Sequence, residues 1–445
     1  MPEPHTRKKI AVIADDLTGA NDTGVQFAKQ GLKTIVLMGM QFPPGVIEEN
    51  VVVIDSQSRS LTPDEAYRKV AGTAALVRDG QFHTVFKKID STLRGNVGRE
   101  IDAIMDTCGL ELAIVAPAFP KNGRITVGGY LLLQGAPLEA TEVARDPLSP
   151  ITESHIPTLL SGQTVRKVGH VGIKSVVAGI EDVLAAMEKM FAAGERVLVC
   201  DVWQEDHLQM AATAAARLNR SILWVGSAGL AEYLPSVLGL VATQAGTNPV
   251  ERNPAVGKPV AVLAGSVSTV THGQVWMLKE RSGIVCVETD PCELLQPEAA
   301  VREIDRCLKM TLNAVKSGKD VVITTGSNGD TVSEVREKAL SLNLSMQQTS
   351  EGIAAGLGEL CRRIATEATL SGLVLTGGDI ARSCCSLLSA TGFKVVEEVA
   401  PGIPLGLLKG GPCDGLRVIT KAGSFGAEDA LCTAVDFLRK GKGNP

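Results

Sequence analysis

The sequence is poor in aromatic residues and has no long hydrophobic run. Phe, Trp and Tyr together make up 3% of the 445 residues, so an aromatic platform for stacking nucleic-acid bases is not expected. No run of about 18 apolar residues occurs, and none is therefore predicted to span a membrane. Acidic residues outnumber basic ones by 49 to 44, and this negative balance disfavours nucleic-acid binding. We expect neither nucleic acid nor a membrane as a partner.

Several motifs of known chemistry are also missing. The ten cysteines form no C-x-x-C pair and show no zinc-ligand spacing, which predicts buried thiols in a reducing compartment. Asp15 and Asp16 interrupt the first apolar run, where a signal peptide would continue, so we expect a cytoplasmic protein. The dinucleotide fingerprint and the Walker A motif are absent as well. A dinucleotide-dependent dehydrogenase and a P-loop enzyme are therefore disfavoured.

Short β-branched runs alternate with helical patterns along the chain, which predicts an α/β fold with mainly parallel sheets. Predicted strands cover 9–14, 34–38, 51–55, 83–89, 112–117, 196–202, 222–226, 259–265, 283–289, 320–326, 372–378, 393–399 and 417–423. Residues 241–258 lack periodicity and are rich in Pro, Gly, Asn and Thr, as linkers are. We expect two α/β domains, 1–240 and 259–445, with the active site in the cleft between them.

The first candidate segment is AVIADDLTGANDTG, residues 11–24. A predicted strand ends at Ala14 and delivers two adjacent carboxylates, Asp15 and Asp16, at its carboxyl end. Such carboxylates can accept hydrogen bonds from the hydroxyls of a polyol, or serve phosphoryl transfer as a base or metal ligand. The alternative is a helix N-cap and turn, a position that Asp favours.

Cations cluster in the second segment, TVFKKIDSTLRGNVGREI, residues 84–101. Lys87, Lys88, Arg94 and Arg99 surround a strand end and a helix start, an arrangement that suits an anion. The alternative is a solvated strand end with a capping serine. In VVVIDSQSRS, residues 51–60, Arg59 could bind a carboxylate through two hydrogen bonds, or be an ordinary surface arginine.

Glycine-rich strand exits mark the second half of the chain. They occur in LAGSVS, residues 263–268, in LTGGDIA, residues 375–381, and in KAGSFG, residues 421–426. Glycine lets a phosphate approach backbone N–H groups, and a following helix favours the anion. Three such turns in one predicted domain indicate a nucleotide, and Asp379 adds an acceptor for a hydroxyl proton or for Mg²⁺.

Together these segments resemble the four-carbon acid sugar kinase family. The resemblance rests on ADDLTGANDTG, KKIDSTLRGN, APAFPKNGR, GSVS, TGGDIA and KAGSFG, which follow one another in this order. It implies a sugar-acid-binding N-terminal domain, a nucleotide-binding C-terminal domain, and phosphorylation of the C4 hydroxyl of a four-carbon sugar acid with ATP and Mg²⁺. It also implies that the protein could be a homodimer.

The resemblance assigns site residues by matching position. The implied substrate contacts are Asp15, Asp16, Arg59, Lys88, Asp90 and Ser91, and the implied ATP contacts are Ser266, Thr376, Gly377, Gly378, Asp379 and Gly423. The stretch TGANDTGVQFAKQG is most similar to D-threonate kinases, with D-erythronate and 3-oxo-tetronate kinases as alternatives. A non-catalytic sugar-acid sensor is a further alternative. Asp379 and Asp16 are both candidates for the catalytic base, and no residue is assigned to a metal.

Overall fold

The computed structural model describes residues 9–39, 49–80, 82–145, 149–240, 256–265, 268–326 and 329–440. The chain divides into two compact units, Met1–Gly246 and Thr247–Pro445. Most of the predicted linker, residues 241–255, lies outside the described residues. Both units combine helices with a mainly parallel sheet, so the predicted α/β class is confirmed.

The N-terminal unit is built around a parallel sheet. Its strands are β1 (Ile10–Ala14), β2 (Thr34–Met38), β3 (Val51–Asp55), β4 (Thr84–Lys88), β5 (Leu112–Ala116), β6 (Arg124–Val127), β7 (Tyr130–Leu133), β8 (Ala136–Pro137), β9 (Val168–Val171), β10 (Val197–Cys200) and β11 (Ile222–Gly226). Parallel pairing gives the order β2-β3-β1-β4-β11-β5-β10-β9, while β6, β7 and β8 form a separate antiparallel sheet. Strands β1, β3 and β5 are buried along their whole length, which explains their continuous apolar sequences.

Helices cover the faces of this sheet. They are α1 (Leu17–Lys29), α2 (Pro63–Asp79), α3 (Val97–Cys108), α4 (Ile156–Gln163), α5 (Ile173–Ala178), α6 (Ile180–Ala192), α7 (Glu205–Ala216) and α8 (Ala228–Val237), with short 3₁₀ turns at Pro120–Asn122, Leu138–Ala140 and Glu142–Arg145. Local sequence sets two of the helix starts. Asp16 accepts a hydrogen bond from the Gly19 N–H and caps α1, and Pro63 occupies the first turn of α2.

The C-terminal unit repeats the pattern with a partly antiparallel edge. Its strands are β12 (Val260–Ala264), β13 (Ile284–Glu288), β14 (Asp320–Thr324), β15 (Gly372–Thr376), β16 (Gly392–Ala400), β17 (Ile403–Lys409) and β18 (Arg417–Lys421). Its helices are α9 (Thr269–Lys279), α10 (Pro297–Lys316), α11 (Gly329–Ser341), α12 (Met346–Glu367), α13 (Gly378–Leu387) and α14 (Ala430–Lys440), with a 3₁₀ turn at Glu293–Leu295. The order β13-β14-β12-β15-β18 is parallel, and β17 and β16 add antiparallel pairs beside β18.

The structure contains strands that the sequence patterns did not predict. Residues 116–130, whose Pro and Gly residues are typical of a loop, include β6 and the start of the β6–β7 hairpin. Strand β17 was missed because Pro404 and Gly406 interrupt its apolar pattern, and Pro is tolerated only where no ladder hydrogen bond needs its nitrogen.

All ten cysteines are free thiols, five of them buried and five half-buried. Burial raises the pKa of the Cys200 thiol to about 12, so this thiol is unreactive at neutral pH. None of the helices in the described ranges combines the length and the apolar character that crossing a membrane requires.

Candidate functional site

The candidate site of the N-terminal unit lies at the carboxyl edge of its parallel sheet. Ala14 at the end of β1 pairs with Asp55 at the end of β3 and with Lys88 at the end of β4. Because parallel strands ending in register deliver their loops to one edge, the residues after β1, β3 and β4 meet there. Three of the segments chosen from the sequence therefore converge.

Arg59 joins the two adjacent aspartates. Its Nε donates to Asp15 Oδ2 at 2.7 Å, and its NH2 group donates to Asp16 Oδ1 at 2.6 Å. Asp16 Oδ1 also accepts from the Gly19 N–H at 3.1 Å. Asp16 is therefore both the helix N-cap that the sequence offered as an alternative and part of an ion-pair network. Two of the guanidinium nitrogens of Arg59 are already bonded to protein.

Asp90 extends this network from the loop after β4. Its carboxylate accepts from Arg94 Nε at 2.8 Å and lies 3.9 Å from Arg59 NH2. Burial acts to raise the pKa of Asp90, but Arg94 and Arg59 outweigh burial and hold this pKa well below its ordinary value. Ser91 is buried beside it. Asp90 is therefore ionised and bound to protein groups in this arrangement.

The loop after β4 also contains backbone strain. Leu93 has φ = 65° and is fully buried. A bulky residue in the left-handed region is uncommon and costs on the order of 1–3 kcal/mol. Such strain persists only where the surroundings enforce it, and here the Asp90–Arg94 pair spans the strained residue.

The adjacent lysines of β4 have different partners. Lys87 is fully buried and its Nζ lies 2.7 Å from Glu100 Oε2 on α3. Lys88 is 4% exposed, and its side chain makes no ion pair or hydrogen bond within the described residues. The two lysines point to opposite faces of the strand, as alternation requires. Lys87 is therefore held inside the protein, whereas Lys88 keeps its ammonium donors for another partner.

Gly19 shows where the Lys88 ammonium lies. A Cβ atom on Gly19 would fall 2.6 Å from Lys88 Nζ and 2.6 Å from Asp16 Oδ1. The absence of a side chain at Gly19 thus lets a cation and a carboxylate approach the first turn of α1 together. An ammonium beside a helix N-terminus reinforces the attraction of that region for an anion.

Asp15 is the buried member of the aspartate pair. Burial acts to raise its pKa, but the charges of Arg59, Lys87 and Lys88 outweigh burial, so the pKa of Asp15 lies below its ordinary value. Its Oδ1 is buried and accepts no hydrogen bond from the described residues. An ionised oxygen without a donor can accept a hydrogen bond from a ligand hydroxyl.

In the C-terminal unit, the three glycine-rich turns follow adjacent strands. Ala264 at the end of β12 pairs with Thr376 at the end of β15, which pairs with Lys421 at the end of β18. The exits of these strands lie side by side, as nucleotide sites in α/β folds require. Ser266, the candidate ATP contact after β12, lies outside the described residues.

The turn after β15 gives its two glycines different roles. Gly377 has φ = 101°, a value that favours glycine, and precedes α13 as its N-cap. Gly378 is the first residue of that helix. The Thr376 Oγ1 is buried without a hydrogen-bond partner among the described residues. Asp379, in the first turn of α13, has a side chain 52% exposed and lies 3.5 Å from Arg382 NH2.

The turn after β18 contains a buried cation that the sequence analysis did not select. Lys421 is 1% exposed, and its Nζ donates to the carbonyl oxygens of Ala422 at 2.8 Å and Gly423 at 3.1 Å. Burial lowers the pKa of Lys421 to about 7. Gly423, a predicted ATP contact, thus has its carbonyl bound to a lysine of its own loop.

Glu100 and Lys421 are the main residues that sequence reasoning missed. Glu100 is the fourth residue of α3, where an acidic side chain looks like an ordinary helix-start residue. Lys421 ends an apolar strand just as Lys87 and Lys88 do. The same signal, a lysine closing a buried strand, could therefore have identified Lys421.

Comparisons with known proteins cover nearly the whole chain. Residues 10–234 match a family described as a sugar-binding N-terminal domain, and residues 261–431 match a nucleotide-binding C-terminal domain. A D-threonate kinase of Salmonella typhimurium is 35% identical over 433 residues, which cover 97% of this chain and 99% of that protein. A D-erythronate kinase of Heliobacterium modesticaldum is 34% identical over 436 residues, which cover 96% and 97% of the two chains.

The fold is also found in a solved structure. A protein of Salmonella typhimurium aligns with a TM-score of 0.78 at 23% identity, over 96% of this chain and 98% of that one. At this identity the likeness establishes the shared fold and nothing about the ligands.

Proposed function

This chain belongs to the four-carbon acid sugar kinase family, and we propose from that premise that it transfers the γ-phosphoryl group of ATP to the C4 hydroxyl of D-threonate. The observation that carries the substrate class is the buried Lys88 ammonium, which lies near the carboxylates of Asp15 and Asp16 but forms no ion pair or side-chain hydrogen bond within the described residues. A small acid with several hydroxyls complements both features.

The acid would bind at the carboxyl edge of the N-terminal sheet. Lys88 would neutralise the substrate carboxylate, and the free Oδ1 of Asp15 would accept a hydrogen bond from a substrate hydroxyl. Arg59 would hold Asp15 and Asp16 at fixed positions, since its Nε and NH2 groups already bond them. Asp90 and Ser91, in the loop after β4, would provide the remaining contacts to the acid. Ion pairs formed in advance reduce the ordering cost of binding a small polar ligand.

The nucleotide would bind at the adjacent strand exits of the C-terminal unit. Thr376, Gly377, Gly378 and Gly423 would line its phosphates, with Ser266 as the predicted further contact. Mg²⁺ commonly binds through one or two carboxylates together with substrate phosphates. Within the described residues no group of three or more His, Cys, Asp or Glu side chains could hold a metal. Mg²⁺ would therefore bind largely through the phosphates, whose charge it offsets.

Phosphoryl transfer needs mainly positioning, charge neutralisation and a group that takes the hydroxyl proton. Asp16 Oδ1 already accepts hydrogen bonds from Arg59 and Gly19, which suits it to orienting the substrate. Asp379 has only long contacts, at 3.5 Å to Arg382 and 3.5 Å to Ser350, and its carboxylate is more available. We therefore prefer Asp379 as the base.

D-erythronate is the second candidate substrate, because a D-erythronate kinase matches this chain at 34% identity, close to the 35% of the D-threonate kinase. The two acids differ in configuration at one hydroxyl-bearing carbon. Discrimination between them therefore depends on which hydroxyl reaches the carboxylate acceptors after β1.

The deciding experiment is a coupled ADP-release assay with D-threonate, L-threonate, D-erythronate and 3-oxo-tetronates, with Mg²⁺ present. We expect the highest kcat/KM with D-threonate and a C4 phosphate monoester in the product, identified by ³¹P NMR. Asp379→Asn prepared in parallel controls for contaminating ATPases. Binding of an acid without ADP release would instead indicate a sensor, and release with none of the acids would contradict the assignment.

A further inference from the structure

The loop after β18, residues 422–427, has its carbonyl groups bound by buried side chains. Besides Ala422 and Gly423, the Lys421 Nζ donates to the Phe425 oxygen at 3.2 Å. From α9, Thr271 Oγ1 donates to the Gly423 oxygen at 2.7 Å. Gln274 Nε2 donates to the oxygens of Phe425, Gly426 and Ala427 at 3.0, 3.2 and 2.8 Å. Lys421, Thr271 and Gln274 are all buried.

This arrangement determines where the N–H groups of the loop point. In a trans peptide the C=O and N–H bonds are antiparallel, so a carbonyl turned inward leaves the next residue's N–H directed outward. The inward carbonyls of Ala422, Gly423 and Phe425 therefore direct outward the N–H groups of Gly423, Ser424 and Gly426. Within the described residues none of these three N–H groups donates a hydrogen bond, and Ser424 and Gly426 are exposed.

We propose that Lys421 and Gln274 are positioning residues that hold the loop with its carbonyl groups inward and its N–H groups outward, so that it binds the phosphates of the nucleotide. This inference rests on the proposed kinase function. Successive outward N–H groups form a concave anion site. Lys421 supports that site from behind through its hydrogen bonds to carbonyls and a hydroxyl of the protein.

The test compares nucleotide binding by Lys421→Met and Gln274→Met with the parent protein, using calorimetry with ADP and Mg²⁺ and, separately, with adenosine. Lys409→Met is the matched control, because Lys409 lies in the same unit but is only half-buried and is paired with Asp414. We expect each test variant to bind ADP roughly 10- to 100-fold more weakly. This is the range expected when one or two charge-assisted hydrogen bonds between the loop N–H groups and the ADP phosphates are lost. Adenosine binding and the control should change less than twofold.

The adenosine measurement separates positioning from general damage. Equal losses for ADP and adenosine would mean that the residues merely support the fold, and unchanged ADP binding in a folded Lys421→Met would also overturn the inference. Should Lys421→Met fail to fold, Gln274→Met decides the question, since it acts on the other half of the loop. If the parent neither binds ADP nor releases it from ATP with any acid of the panel, the kinase proposal itself fails.

Discussion

The two units arrange charge differently at the carboxyl ends of their strands. In the N-terminal unit, Arg59 bonds Asp15 and Asp16 directly, and Lys88 lies buried beside them. In the C-terminal unit, glycine-rich turns occupy the strand ends, and the buried Lys421 bonds neutral groups. Side-chain charges can recognise one carboxylate among hydroxyls, whereas a row of backbone N–H groups suits a polyphosphate. The carboxyl edge of the parallel sheet is thus suited to a different kind of anion in each unit.

The largest expected effect concerns the exposed carboxylate of the C-terminal unit. Asp379→Asn should lower kcat by roughly 10²- to 10⁴-fold at saturating ATP, Mg²⁺ and acid, because a positioned base is lost. Steady-state kinetics with both substrates varied would measure it. Asp16→Asn is the matched variant and should act mainly on the KM of the acid.

A kcat for Asp379→Asn within a few-fold of the parent would transfer the base assignment to Asp16. Recovery of the rate at high Mg²⁺ concentration would indicate a metal ligand instead. The first result would place the base in the N-terminal unit, and the second would leave Asp379 with a role in metal binding only.

The second largest effect is expected from breaking the buried Lys87–Glu100 ion pair, which tests whether this pair stabilises the fold of the N-terminal unit. Glu100→Gln leaves the Lys87 ammonium unpaired, and both residues are at most 1% exposed in their side chains. Removing one partner of a buried pair typically costs about 3–5 kcal/mol. Denaturant unfolding should show this loss in the transition that the acid substrate stabilises.

The double variant Lys87→Met with Glu100→Leu is the control. It should recover most of the lost stability, since apolar replacement of a whole buried pair is often neutral. A double variant as unstable as Glu100→Gln would mean that the pair has a role beyond charge compensation.

A smaller effect is expected for Lys88, which is proposed to bind the substrate, whereas Lys87 is bound within the protein. Lys88→Met removes the ammonium proposed to bind the substrate carboxylate, at a cost of about 1.5–3 kcal/mol in acid binding. Calorimetry should show weaker binding of the acid with ADP affinity nearly unchanged. Equal weakening of both ligands would point to a folding defect and would remove Lys88 from the binding site.

The smallest effect is the pH dependence that Lys421 confers. Burial lowers its pKa from 10.5 to about 7, so between these values the unfolded chain holds a proton that the folded one has released. Stability should therefore rise with pH, by at most about 1.4 kcal/mol per pH unit above 7. The carbonyl contacts favour the charged form and reduce this slope.

Unfolding of the parent and of Lys421→Met at several pH values between 7 and 8.5 would measure the contribution of Lys421 to the pH dependence of stability. The difference between the two proteins, in the transition that nucleotide stabilises, should change in favour of the parent as pH rises. Parallel pH profiles would show that the lysine keeps its ordinary pKa despite burial.

Local sequence determined the fold class and the position of the candidate residues along the chain. Apolar runs of about five residues, separated by helical patterns, predicted most of the parallel strands because strands buried on both faces are continuously apolar. The motifs after β1, β3 and β4 were also recognisable, since each places polar residues directly behind such a run. The hairpin β6–β7 and strand β17 were not predicted, because Gly128 and Gly129 between β6 and β7, and Pro404 and Gly406 within β17, resemble loop residues.

Only the tertiary structure decided which charges are compensated inside the protein. Lys87 and Lys88 are the same residue type at neighbouring positions, yet Glu100 reaches one of them across the packing of α3 on the sheet. Likewise, Lys421 binds the carbonyl groups of the same loop as Thr271 and Gln274, which lie about 150 residues earlier in the chain. Strand alternation is a local property, but the partner that a buried charge meets depends on elements distant in sequence that fold against it.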